Sequence, residues 1–224
     1  MALIEVQNLR KTYTFGRGVL TEALRGVDLS IESGEFLAIA GPSGSGKSSL
    51  LNIMGGLDTP SSGAVIHNGE DITGRPIRDL AGFRLRHIGF VFQAYNLINT
   101  LTALENVEYI MLLQGRDARA RRQQATQVLA RVGLADYLHR FPYEMSGGQQ
   151  QRVAVARAMA AEPAVILADE PTANLDSKTA ESLLGLMLEL NQEKGMTFIF
   201  STHDQMIMRM ARRLVLLKDG VIAS

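Results

Sequence analysis

Phe36-Leu37-Ala38-Ile39-Ala40-Gly41-Pro42-Ser43-Gly44-Ser45-Gly46-Lys47-Ser48 is the stretch that decides the fold of this chain. A nearly continuous apolar run ends in a glycine-rich loop, and the apolar stretch Leu50 to Met54 follows it. Such a run reads as a strand buried on both faces, as in a parallel sheet covered by helices above and below. The loop has the spacing G-x-x-x-x-G-K-[ST], between a buried strand and a helix, where that pattern belongs. Its residue types suit a triphosphate. Glycines let backbone N–H groups turn inward and approach phosphate oxygens with no Cβ in the way. The helix start adds partial positive charge. Lys47 is placed to reach the β- and γ-phosphates, and the Ser48 hydroxyl to hold Mg²⁺. A random chain of this length would show the pattern on the order of one time in a hundred, so nucleotide binding outweighs a chance glycine turn.

Two later segments share the texture of the first: Val165-Ile166-Leu167-Ala168 and Phe198-Ile199-Phe200. Continuous apolar runs separated by helical patterns predict an α/β fold with a parallel sheet. Ligands of open α/β sheets bind at the carboxyl ends of the strands. There the second run carries Asp169-Glu170, and the third carries Ser201-Thr202-His203-Asp204. Asp169 suits the magnesium shell, and Glu170 can polarise an attacking water. By itself such a pair also fits a solvated loop edge; a phosphate loop upstream favours chemistry. His203 is placed to donate to the γ-phosphate, whereas His67, His87 and His139 stand in no motif and are assigned no chemistry.

Working outward, Leu3 to Tyr13 (Ile4, Val6, Leu9) and Leu24 to Ile31 (Val27, Leu29, Ile31) alternate apolar and polar residues, as half-buried antiparallel strands do. Thr102 to about Ala161 reads mostly helical. Thr102 and Glu105 have capping-box spacing, and Arg116 to Val132 is rich in good helix formers. Lys178 to Lys194 carries Leu183, Leu184, Met187, Leu188 and Leu190 at helical spacing, a core-packing stripe. Asp219-Gly220 signals a turn before a last short strand. One domain is expected: a nucleotide-binding core with a β subdomain over 1–93 and 162–224, and an inserted helical lobe over about 94–161.

Composition narrows the function. Of the 224 residues, 46% are hydrophobic, enough for a sizeable core. Lysine plus arginine and aspartate plus glutamate number 23 each, which argues against a broad nucleic-acid footprint, so no nucleic-acid partner is expected. With no cysteine, disulfides and cysteine-held metals are ruled out. No signal peptide pattern and no apolar run of bilayer length is visible, so a membrane role is expected to come through a partner.

Ser146-Gly147-Gly148-Gln149-Gln150 precedes a helical pattern over Gln150 to Ala161. Its glycines again expose backbone donors at a helix start. One nucleotide site does not need two such starts, but two copies arranged head to tail would use both. A plain helix-capping turn remains the alternative for this segment alone.

With these segments in hand, the chain resembles the ABC ATPase family along nearly its whole length. The resemblance implies a P-loop, RecA-like parallel core with an N-terminal antiparallel β subdomain and an inserted helical subdomain. It implies that Tyr13 stacks on adenine and that Gly41, Pro42, Ser43, Gly44, Ser45, Gly46, Lys47, Ser48 and Ser49 form the Walker A loop. Gln93 matches the Q-loop glutamine that senses magnesium and the membrane partner. Met145 to Gln149 resembles the signature motif, with methionine for the usual leucine. Ser146, Gly147, Gly148 and Gln149 would then contact the ATP of a partner copy. Asp169 and Glu170 match the Walker B aspartate and catalytic glutamate, Ala173 to Asp176 the D-loop, and His203 the switch histidine. The implied cofactors are ATP and Mg²⁺, the latter near Ser48, Gln93 and Asp169. The implied assembly is a homodimer on a separate transmembrane permease, at the cytoplasmic face of the cell membrane.

Within the family, Phe92 to Leu97, Leu101 to Val107 and Ala168 to Asp176 are most similar to the ATPases of macrolide and lipoprotein export, the MacB and LolD type. Tyr109-Ile110-Met111 departs from that group, where many members carry a proline. Tyr95, Leu97 and Ile98 read either as a groove for the membrane subunit or as core packing. A non-transport ABC ATPase is the alternative function. A kinase or GTPase would leave Ser146 to Gln149 and His203 unexplained, and a non-catalytic binding module would leave Glu170 and His203 unexplained.

Overall fold

The computed structural model describes residues 2–16 and 18–223. Its strands are β1 (Ile4–Phe15), β2 (Val19–Ile31), β3 (Phe36–Ala40), β4 (Ser62–His67), β5 (Glu70–Asp71), β6 (Ile88–Val91), β7 (Val165–Asp169), β8 (Thr197–Thr202), β9 (Arg213–Lys218) and β10 (Val221–Ala223). Its helices are α1 (Lys47–Met54), α2 (Ala81–His87), α3 (Ala103–Leu113), α4 (Ala118–Arg131), α5 (Gly147–Ala160), α6 (Ser177–Lys194) and α7 (Gln205–Met210). The strands form a six-stranded sheet in the order β10-β9-β3-β8-β7-β6 and a four-stranded sheet in the order β2-β1-β4-β5.

In the larger sheet β3, β6, β7, β8 and β9 run parallel, and β10 closes one edge antiparallel to β9. Successive side chains of a strand point to opposite faces, so each continuous apolar run feeds two cores. Phe36, Ala38, Ile166, Ala168, Phe198 and Phe200 pack with α3, α4, α5 and α6. Leu37, Ile39, Val165, Leu167 and Ile199 pack with α1 and the smaller sheet. The Phe36 ring lies 4.7 Å from that of Phe200 and 5.7 Å from that of Phe198, within the range of favourable aromatic contact.

The smaller sheet is antiparallel, and Ile4, Val6 and Leu9 of β1 face Ile31, Leu29 and Val27 of β2. The period of two slips between Val6 and Leu9, where the register shifts. Asn8 takes the left-handed φ of 43° there, and its backbone N–H donates to Asp28 Oδ1 at 2.8 Å. A bulge therefore keeps Leu9 on the buried face.

Side-chain caps set the starts of α3 and α4. Thr102 and Glu105 form the expected capping box of α3. Asp117 accepts from the Arg119 and Ala120 N–H groups, so α4 begins at Ala118 rather than Arg116. In α6, Leu183, Leu184, Met187 and Leu190 are buried, whereas Leu188 is only partly so. Between β6 and β7 the chain runs through α3, α4 and α5, whose apolar faces join the same core as the larger sheet.

Candidate functional site

The phosphate-type loop leaves β3 and turns into α1. Gly46 caps α1 in the left-handed region, with φ 103° and no side-chain cap bond, so the first helical N–H groups stay available to a ligand. A Cβ on Gly46 would stand 2.3 Å from the Ala23 carbonyl oxygen, and one on Gly41 2.0 Å from that of Leu217. Glycine is therefore required at both positions. Lys47 is buried, and its ammonium donates to the Gly41 and Pro42 carbonyls at 2.8 and 3.0 Å.

A cavity of about 450 Å³ opens above this loop. It is lined by Ser43, Gly44, Gly46, Lys47, Ser48 and Ser49 of the loop and α1, by Tyr13, Thr21 and Ala23 of the smaller sheet, and by Gln93, Glu170, Ala173 and His203 beyond the strand ends. The Ser48 hydroxyl donates to Asp169 Oδ1 at 3.0 Å. The register of β7 on β8 sets Asp169 beside Ser201, which brings the next residues of both strands together. His203 Nδ1 lies 2.7 Å from Glu170 Oε1, and the Thr202 hydroxyl lies 3.4 Å from Glu170 Oε2. Glu170 has a φ of 46°, a strained conformation for a non-glycine residue; its N–H donates to the Ser201 carbonyl at 2.9 Å. A larger hollow, about 740 Å³, lies between α3 and α4. Exposed side chains such as Arg119 and Gln123 line it, and none of the strand-end or loop groups reaches it, so volume does not mark the chemistry here. His67 is buried against the Met54 carbonyl at 2.7 Å, within the packing.

Tyr13 is tied down at its phenol end. Its hydroxyl donates to Asp58 Oδ2 at 2.7 Å and lies 3.2 Å from the Ser49 hydroxyl. Burial first, and the adjacent Asp58 carboxylate with it, raise the Tyr13 phenol above its ordinary range, so it stays neutral at physiological pH.

Ser146, Gly148 and Gln149 stand elsewhere, in an open hollow of about 290 Å³ shared with Arg152, Lys178, Thr179 and Ser182. The two hollows have no lining residue in common. The helix here starts at Gly147, not at Gln150 as its sequence suggests, because Ser146 and Gln149 form a reciprocal capping box at 3.3 and 2.8 Å. A Cβ on Gly148 would meet Thr179 Cγ2 at 2.4 Å. Asp176 lines neither hollow: its carboxylate caps α6 by accepting from the Thr179 N–H and hydroxyl at 3.0 and 2.6 Å.

The loop after β6 is gripped by Gln151 and Arg157, which sequence reading passed over, and by Asn174 of the segment read as the D-loop. Gln151, fully buried on α5, donates to the Pro171 carbonyl at 2.8 Å and reaches that of Phe92 at 3.5 Å. Asn174 donates to the Gln93 carbonyl at 3.0 Å. Arg157 of α5 donates to the carbonyls of Tyr95 and Asn96, two consecutive residues with φ of 58° and 50°. The signal was present: Arg157 is a lone charge within Ala154-Val155-Ala156 and Ala158-Met159-Ala160. Of the groove candidates in this loop, Leu97 packs on the core, Tyr95 is partly buried and Ile98 is exposed. Arg157→Ala removes two charge-assisted bonds from a strained turn and is expected to cost about 3 kcal/mol of stability. Chemical denaturation checks this, and an unshifted midpoint would show that the turn holds itself.

Comparison with known proteins settles the family. Residues 24–173 match the family model described as ABC transporter. The chain belongs to the ABC transporter family. This ABC chain is 48% identical to an ABC transporter ATP-binding protein of Methanocaldococcus jannaschii, over 98% of its own length and 97% of that relative. It is 47% identical to the lipoprotein-releasing system ATP-binding protein LolD 1 of Rhodopseudomonas palustris, over 99% and 98%. It is also 45% identical to the macrolide export ATP-binding/permease protein MacB of Syntrophobacter fumaroxidans, over 99% of this chain but 31% of that one. Among solved structures, it matches a dimeric post-hydrolysis state of the ATP-binding cassette MJ0796 bound to ADP and Pi. That match has a TM-score of 0.91 and 43% identity, over 99% of this chain and 97% of that one. This ABC chain is an ATP-binding and ATP-hydrolysing subunit with the fold of that cassette.

Proposed function

We propose that two copies of this chain sandwich two ATP molecules head to tail, and that closure and loosening of the pair drive export or extraction through a separate membrane permease. The separation of the two hollows carries the reading. The loop of Lys47 and the helix start at Ser146 are both suited to anions, yet no single cavity of one chain includes both. A second copy, turned head to tail, would bring its Ser146 start to the γ-phosphate bound by the first. The dimeric cassette among the structural neighbours supports this arrangement.

In this reading Tyr13 stacks on the adenine. Gly41 to Ser49 wrap the phosphates, and Lys47 moves its ammonium from the Gly41 and Pro42 carbonyls to the β- and γ-oxygens. Ser48 and Asp169 already share a hydrogen bond, and Gln93 lines the same cavity. A hydroxyl, a carboxylate and an amide oxygen form a hard-oxygen set that fits Mg²⁺, which keeps most of its shell as water and phosphate oxygen. Bound there, the ion would neutralise charge on the phosphates. Glu170 accepts a proton from the attacking water as its oxygen bonds to the γ-phosphorus and the bond to ADP breaks. His203, held by Glu170 Oε1, points a second donor at the γ-phosphate. The γ-phosphate bridges the two copies, so binding closes the pair and hydrolysis loosens it. Asp176, at the start of α6, approaches the partner copy as part of the D-loop.

Among the described residues no helix is long and apolar enough to cross a membrane. The subunit works peripherally on the cytoplasmic face, with the loop of Gln93 and Ile98 turned to the permease. The names of the LolD and MacB relatives support export or lipoprotein-type extraction. Affinity purification of the tagged chain from detergent-solubilised native membranes tests this. A polytopic membrane protein should co-purify, and recovery of an active ATPase without one would sink the transporter assignment.

A further inference from the structure

We infer that Lys11 and Asp58 form a support that fixes the Tyr13 ring, and so set how tightly the site holds the base of its nucleotide. This rests on the reading of Tyr13 as the base-stacking residue. Lys11 and Tyr13 stand two apart on β1, on either side of a register shift between Lys11 and Thr12, and their side chains converge on Asp58. Asp58 lies in the loop after α1. Its Oδ1 accepts from Lys11 Nζ at 2.7 Å and from the Thr59 N–H at 2.7 Å, and its Oδ2 accepts from the Tyr13 hydroxyl at 2.7 Å. Lys11 Nζ also donates to the Thr59 carbonyl at 2.6 Å and sits 4.7 Å from the centre of the Tyr13 ring, within cation–π range. The lysine is buried, an unusual place for an ammonium without a strong partner.

Counting hydrogens gives the arrangement a direction. A phenol has one proton, and the Asp58 carboxylate takes it. The Ser49 hydroxyl, 3.2 Å away, must then donate to the phenol oxygen. Burial alone would raise the Asp58 carboxyl, but the bonds from Lys11, Tyr13 and the Thr59 amide outweigh it and hold it below the usual carboxylate range. The acceptor is therefore ionised at neutral pH. Ser49 follows Ser48 on α1, so the ring is bolted to the same piece of structure that grips the phosphates. A ring already fixed loses little freedom when the base arrives, which favours binding.

The test is steady-state ATP hydrolysis by the full chain and by four variants: Tyr13→Leu, Tyr13→Phe, Asp58→Asn and the double Tyr13→Phe/Asp58→Asn. Tyr13→Leu removes the stacking platform and raises the KM for ATP about ten-fold or more. Asp58→Asn keeps the ring but loosens it, raising KM about three- to ten-fold with kcat within about two-fold. Because both polar substitutions act on the Tyr13–Asp58 bond, the rise in KM of the double variant falls short of the product of the two single rises. The inhibition constant of inorganic tripolyphosphate, which has no base, stays unchanged in all four. If Tyr13→Leu leaves KM unchanged, the base-stacking reading itself fails. If Tyr13→Leu raises KM and Asp58→Asn does not, stacking stands and the support is wrong. Parallel loss of tripolyphosphate binding, or additive effects in the double variant, also overturns the support. Should Asp58→Asn not fold, Tyr13→Phe carries the test from the other end of the bond, with the same expected rise in KM.

Discussion

Glu170→Gln slows ATP turnover by about 10²- to 10⁴-fold while leaving ATP binding intact, the range that loss of a positioned general base produces. The side chain is well placed for that task. It is largely buried, with 16% of its surface exposed, and it is held at both ends. His203 Nδ1 lies against Oε1 at 2.7 Å, and the strained backbone is anchored by its N–H to the Ser201 carbonyl at 2.9 Å. Glutamine has the same shape, and its amide oxygen can still accept from the histidine ring, so the cavity keeps its form. What it lacks is a basic oxygen to take the proton of the attacking water. The effect should therefore fall on kcat, with nucleotide affinity kept. Phosphate release under saturating ATP, beside equilibrium binding of a fluorescent ATP analogue, checks both halves. Turnover within a few-fold of the parent would remove Glu170 from its role.

Lys47→Ala has its largest effect on the other quantity. Each hydrogen bond from an ammonium to an anionic oxygen contributes about 1.5–3 kcal/mol, so losing two weakens ATP binding by about 10²- to 10⁴-fold. The structure adds a distinction. In the protein without nucleotide, Lys47 donates to the Gly41 and Pro42 carbonyls, bonds that it must surrender to reach phosphate. Alanine leaves those carbonyls with the water that enters the cavity, so the fold itself should lose only about 1 kcal/mol. A titration with labelled ATP beside a denaturation curve separates the two. A dissociation constant within three-fold of the parent, or a collapsed fold, would contradict this account of the loop.

Much of this was legible because the decisive signals are local. The β3 run and its glycine loop, and the carboxylates ending β7, are each carried by adjacent residues whose order dictates their geometry. What stayed hidden depends on distant partners. Lys11 and Asp58 are 47 positions apart, and neither residue type announces a partner. Gln151 sits inside a helix, where a polar residue reads as surface until the fold buries it, and Arg157, although a lone charge in an apolar run, does not announce the distant turn at Tyr95 and Asn96 that it holds. The start of α5 was misjudged by three residues because Gly147 and Gly148 are poor helix formers; the Ser146–Gln149 box and the closeness of Thr179 outweigh that. Tyr95, Leu97 and Ile98 look alike in sequence, yet the turn at Tyr95 and Asn96 sends them to different environments. Asp176, read from its motif, turned out to cap α6 as well, since a carboxylate two to three residues before free N–H groups finds them first.

The head-to-tail pair is tested most directly by sedimentation velocity of Glu170→Gln with Mg²⁺ and ATP, beside the same variant carrying Ser146→Asp. Aspartate still caps a helix, so α5 survives while a negative charge is set where the partner's γ-phosphate should lie. The expected result is a monomer without nucleotide, a dimer with it, and a monomer again once Ser146→Asp is added, with ATP still bound at the Lys47 loop. A dimer that survives Ser146→Asp, or no dimer in Glu170→Gln at all, would contradict the shared site.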